Sequence, residues 1–103
     1  MQRAPGSRVE WGMDIKPDQV FVVSKDVLFQ EVSGETVLLD LGSEAYFGLD
    51  EVGTRIWSLL NEGRNSAEMV EVLLGEYDVE RDVLERDVHE LLASLLEAGL
   101  VEQ

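Results

Sequence analysis

At 103 residues the chain has the length of one domain, and with no cysteine it excludes disulfides, thiolate metal sites and cysteine nucleophiles. Hydrophobic residues at 45% and charged residues at 29% give a globular balance, and no apolar run is long enough to span a membrane. The 22 acidic residues against 8 basic ones leave a net charge of −14, a field that repels nucleic-acid phosphate but not a neutral or basic peptide.

Residues 1–19 carry Pro5, Gly6, Gly12 and Pro17 without periodicity, which predicts a loose tail ahead of a domain over 20–103. Trp11 and Met13 could dock on the body. The N-terminus lacks the apolar core of a signal peptide, so a cytoplasmic protein is expected. Val20-Phe21-Val22-Val23 is an extended lead-in or an extra strand. Val27 to Val32 reads as a strand, Ser33-Gly34-Glu35 as a turn, and Thr36 to Leu41 as the returning arm. In that arm Val37, Leu39 and Leu41 alternate with Thr36, Leu38 and Asp40, as a sheet with one wetter face requires. Gly42-Ser43-Glu44 turns the chain into a third strand, Ala45 to Gly48.

At Asp50 the period changes from two to about 3.6. Asp50 is placed to cap a helix over Glu51 to Glu62, ended by Gly63, with Val52, Ile56, Leu59 and Leu60 on its inner face and Trp57 beside them. Asn65 with Glu68 resembles a capping box for a second helix, whose inward residues are Val70, Leu73, Leu74 and Tyr77 and whose end Gly75 weakens. Asp78 is placed to cap a third helix with a stripe of Leu84, Val88, Leu91, Leu92 and Leu95. Gly99 supplies its left-handed cap, with Leu100 folding back towards Leu95. Three strands and then three helices predict an α+β, winged-helix-like domain.

Little here can carry chemistry. His89 is the single histidine and lies off the apolar stripe, where a solvated surface role accounts for it. The carboxylates, Asp82 near Arg86 for example, fall at helix starts and on wet faces rather than as a contrasting pair in a cleft. Gly48, Gly53 and Gly63 are too widely spaced for a phosphate or dinucleotide loop. No enzyme, metal site or cofactor is expected. Trp57, Tyr77 and Phe29 read as core, and Arg55 as a cation among carboxylates. Tyr46 and Phe47 differ: adjacent on a strand, they face opposite sides. Their strand is the last of its sheet, so one edge can remain unpaired, and an unpaired edge is a template for another chain.

Val37-Leu38-Leu39-Asp40, followed by Tyr46-Phe47-Gly48-Leu49-Asp50-Glu51-Val52-Gly53-Thr54-Arg55-Ile56-Trp57, resembles the PqqD-like proteins, also called RiPP precursor-peptide recognition elements. The closing Leu91-Leu92-Ala93-Ser94-Leu95-Leu96-Glu97-Ala98-Gly99-Leu100-Val101 is similar to the last helix and cap of that family. The likeness covers about three quarters of the chain and is nearest to the free-standing leader-binding proteins of lasso-peptide pathways. Residues 1–19 match no pattern of the family.

The resemblance implies three antiparallel strands and three helices. It also implies that a precursor's leader pairs with the third strand, here Glu44, Ala45, Tyr46, Phe47, Gly48 and Leu49, beside the third helix, here Glu80 to Ala98. On that helix, polarity assigns Val83, Asp87, Glu90 and Ser94 to the groove flank and His89, Leu92 and Leu96 to the other; Arg86 is a weaker candidate for a leader carboxylate.

The function this implies is a non-catalytic adaptor that delivers the leader to a leader protease and a macrocyclase, without cofactor, nucleic acid or membrane. A second reading within the family is a peptide chaperone for a radical enzyme of pyrroloquinoline quinone synthesis. A third, a winged-helix transcription regulator, fails on charge: the third helix carries Glu80, Asp82, Glu85, Asp87, Glu90 and Glu97 against Arg81 and Arg86.

Overall fold

A computed structural model describes residues 15–103. The chain runs β1 (Val22–Val23), β2 (Val27–Val32), β3 (Glu35–Asp40), β4 (Ala45–Leu49), α1 (Glu51–Asn61), α2 (Ser66–Glu76), α3 (Arg81–Glu97) and β5 (Val101–Glu102). The α+β architecture expected from the change of period is present: an antiparallel sheet ordered β2-β3-β4, followed by three helices. Ser33 and Gly34, with φ of 55° and 83°, form the two-residue hairpin turn between β2 and β3.

Periodicity leaves Val20–Val23 undecided and places no strand after Gly99. The structure adds both halves of a small ribbon there, with Val22 opposite Glu102 and Val23 opposite Val101. Ser24 ties it to the end of α3: its N–H donates to the Leu100 carbonyl at 3.0 Å and its hydroxyl to the Gly99 carbonyl at 2.8 Å. Two-residue strands have no period to read, so only the tertiary return of the chain reveals them.

Helix ends follow local chemistry. The Asp50 carboxylate accepts the Gly53 N–H at 2.8 Å, and Asn65 and Glu68 form the reciprocal capping box. At the far end of α1, Gly63 N–H donates to Leu60 O and Arg64 N–H to Leu59 O; after α3, Gly99 N–H donates to Leu96 O and Leu100 N–H to Leu95 O. Both are Schellman closures around a glycine of positive φ, +85° at Gly63 and +77° at Gly99. One expectation fails: α3 starts after Glu80, without a side-chain cap, and not at Asp78. With Glu80 at the N-cap position, Asp78 stands two residues ahead of the place from which a side chain caps the N2 or N3 N–H.

The core lies between the inner sheet face and the helices. From β3, Thr36 and Leu38 point inward while Val37 is exposed. Thr36 donates its hydroxyl to that of Thr54 at 2.9 Å, a buried link between β3 and α1. Ile56, Leu59, Leu60, Met69, Leu73, Leu84, Val88, Leu92 and Leu95 fill the interior. Trp57 is buried as expected, with Phe29 packed edge-on at 5.4 Å between ring centroids. Phe29 itself is 51% exposed, because β2 is an outer strand with no strand beyond it among the described residues.

Trp11 and Met13, with the rest of residues 1–14, lie outside the described residues. Within the expected tail, Ile15 is buried, and the Pro17 carbonyl accepts the Ala67 N–H at 3.1 Å at the start of α2. Arg55 is more than a cation among carboxylates. It grips Glu76 through Nε at 2.8 Å and Nη2 at 2.7 Å, clamping α1 to α2. That hydrogen bonding holds the Glu76 carboxyl below its usual range.

Trp57→Ala should lower stability by about 3–5 kcal/mol, the loss for a large buried aromatic, read as a fall in the denaturant midpoint. Trp57→Phe should lose clearly less, since the buried indole N–H has no hydrogen-bond partner among the described residues. A lowered native pKa means that the Glu76 contribution is complete above the ordinary glutamate value, about 4.3, and is lost as pH falls through the native one. Melting temperatures from about pH 6 down to pH 3 should therefore fall more steeply for the wild type than for Glu76→Gln.

Candidate leader-binding groove

Register identifies the open edge of the sheet. The turn at Ser33–Gly34 makes Val32 and Glu35 a mutually bonded pair, so Glu35, Val37 and Leu39 turn their N–H and C=O groups towards β2. The bond from Leu41 N–H to Asp26 O at 2.9 Å continues this alternation. Thr36, Leu38 and Asp40 therefore bond to β4, at Leu49, Phe47 and Ala45. Tyr46 and Gly48 are left with N–H and C=O groups directed away from β3, where no strand follows among the described residues.

Beside this edge, between β4 and α3, lies a cleft of about 540 Å³. Phe47, Gly48 and Leu49 form its strand side, and Asp87, Glu90, Leu91 and Ser94 its α3 side. Val52, Gly53 and Ile56 of α1 complete it together with Asp50. It joins an apolar interior to a polar mouth, while the adjacent strand edge offers backbone bonds.

The expected site residues divide accordingly. Phe47, Gly48, Leu49, Asp87 and Glu90, with Ser94, come together at the cleft. Tyr46 is 78% exposed on the opposite face of the sheet, so of the adjacent aromatics Phe47 is the one at the cleft. Ala45 begins β4 and is exposed; Glu44 precedes the strand, in a turn with φ of 62°. Val83 and Arg86 do not line the cleft. Leu91 and, from α1, Val52 and Ile56 line it instead, three residues whose spacing marks only core positions. Their half-buried or buried state follows from apolar periodicity, which cannot tell a core contact from a cleft wall.

The histidine is half-buried on α3 rather than fully solvated. Among the described residues no group of His, Asp or Glu side chains is arranged to hold a metal ion. No helix of the described residues is long and apolar enough to cross a membrane.

Comparison with known proteins matches this geometry. The family model for coenzyme PQQ synthesis protein D (PqqD) matches residues 35–101. TbiB1, solved in complex with the TbiA(beta) leader peptide, is 43% identical, with a TM-score of 0.74 over 79% of this chain and 94% of that one. A lasso peptide synthetase B1 complexed with its leader peptide is 30% identical, with a TM-score of 0.76 over 82% of this chain and 100% of that one. The PqqD truncation of Methylobacterium extorquens PqqCD, a stand-alone RiPP recognition element, shares the fold at 21% identity, with a TM-score of 0.71 over 86% of this chain and 95% of that one. No curated protein sequence matches. The chain belongs to the PqqD family.

Proposed function

We propose that the protein is the leader-recognition adaptor of a lasso-peptide pathway, binding a ribosomal precursor's leader and presenting it to a leader protease and a macrocyclase. The observation that carries this reading is the edge of β4, unpaired among the described residues, opening onto a cleft against α3. It is supported by 43% identity to a protein solved with a leader peptide. The leader adds as an antiparallel strand: backbone bonds to Tyr46 and Gly48 give sequence-tolerant affinity, and the cleft selects an apolar side chain through Phe47, Leu91 and Ile56. Holding the leader raises the effective concentration of the attached core at the partner enzymes.

The adaptor contributes no chemistry of its own. His89 does not line the cleft, and the cleft carboxylates Asp87 and Glu90 lie together on one exposed helix face. A role in pyrroloquinoline quinone synthesis keeps the same binding mode with a different peptide. The two relatives with leader peptides at 43% and 30% identity favour the lasso reading over the 21% relative from the other pathway.

Hydrogen exchange with and without the TbiA(beta) leader peptide should show new protection at the amides of Tyr46 and Gly48, with Phe47 and Leu49 changing little. Protection confined to α1 and α2 would defeat strand addition. Phe47→Ala should weaken peptide binding by about 1–2 kcal/mol, as for a buried anchor, and Tyr46→Ala by less. Incubation of the purified protein with a precursor should leave the peptide mass unchanged until a leader protease is added; cleavage by several independent preparations alone would refute the adaptor role.

A further inference from the structure

The cleft's polar mouth carries charge of one sign. Asp87 and Glu90 lie about one turn apart on α3, both exposed, and no lysine or arginine is among the lining residues. Several other carboxylates of the helical layer are engaged, though not all of them. Glu76 is held by Arg55, Glu71 by Arg81 and Glu62 by Arg64, while Glu68 and Asp50 bond backbone N–H groups at helix starts. Asp87 and Glu90 have no hydrogen-bond or ion-pair partner among the described residues. They stand beside an apolar wall of Leu91, Ile56 and Phe47 and next to a strand edge that is open for pairing.

A ligand suited to this arrangement has a long apolar stem ending in a cation. Lysine and arginine are built this way: the methylenes lie along apolar surface while the charged head stays at the wet rim. The head meets two carboxylates that otherwise repel one another, and the net charge of −14 favours the approach of a cationic segment from a distance.

We propose that the leader recognised here carries a lysine or arginine in its added strand, seated between Asp87 and Glu90 beside the apolar anchor in the cleft. This rests on the leader-binding reading and extends it to the charge of the peptide. Both carboxylates are exposed, so the pairing is modest in strength and weakens with salt, and its main effects are on register and association rate.

The test uses the full chain and synthetic TbiA(beta) leader peptide as probe, with each peptide position replaced in turn by Lys and by Glu. Binding is read by fluorescence anisotropy for the wild type and for Asp87→Asn/Glu90→Gln, and thermal melting confirms that the double variant is folded. At one position, or at two on the same strand face, the Lys peptide should bind the wild type about three- to fivefold more tightly than the Glu peptide. In the double variant, and at about 0.5 M salt in the wild type, that preference should fall below about twofold. Equal binding of Lys and Glu peptides at every position would overturn the proposal. So would a preference that survives in the double variant, or a uniform loss of affinity there without charge preference, which would assign Asp87 and Glu90 to the peptide backbone. In each of these cases exchange protection at Tyr46 and Gly48 keeps the leader-binding reading intact. Absence of that protection with every peptide would remove both.

Discussion

The link between β4 and α1 is one residue long, and the position of the groove depends on it. Asp50 leaves the strand in an extended conformation, with φ of −77° and ψ of −169°, and its carboxylate at once accepts the Gly53 N–H. A Cβ at Gly53 would lie 3.3 Å from the Leu49 Cβ and 3.2 Å from the Asp50 Oδ1, tighter than ordinary contact. A glycine therefore lets the first turn of the helix close against the end of the strand. With no slack in the link, β4 cannot slide relative to α1, and Val52, Gly53 and Ile56 stand directly behind the strand edge.

The third helix supplies the other wall by a longer route. It packs through Leu84, Val88, Leu92 and Leu95 into the same core as α1 and α2, and the Schellman turn at Gly99 feeds the chain into β5. Its distance from β4 is thus fixed by side-chain packing and by the ribbon with β1, with no backbone bond from β4 to α3 among those of the described residues. An open edge invites aggregation, and this one is short, five residues, preceded by Glu44 and overlooked by Asp87 and Glu90. The same carboxylates that discourage a second acidic copy of the chain are compatible with a basic peptide.

Sequence reasoning reached the helix caps more surely than the groove wall. Asp50, the Asn65–Glu68 box, Gly63 and Gly99 act on N–H and C=O groups within a few residues, so their meaning is local. The flank of α3 was a harder matter. Asp87, Glu90 and Ser94 line the cleft, and Val83 does not. Val83 lies about 12 Å nearer the helix start than Leu91, at 1.5 Å per residue, and nothing local specifies which length of α3 passes β4. The chosen length contains Leu91, which by periodicity reads only as a core leucine.

By itself the sequence determined the order of the three sheet strands and three helices, the caps at Asp50, Asn65, Gly63 and Gly99, the anionic surface and the presence of an aromatic pair on a terminal strand. These follow from alternation, from helical period and from hydrogen bonds closed within a turn. Only the tertiary structure decided that Phe47 takes the cleft and Tyr46 the open face, that Tyr46 and Gly48 direct their backbone outward, and that β1 and β5 meet. The facing of β4 is inherited from β3, whose own bonding alternation is set by the length of the turn at Ser33–Gly34, and a shift of one residue would reverse every assignment. Pairing across the chain and the axial placement of a helix depend on contacts between residues distant in sequence, and no local pattern encodes them.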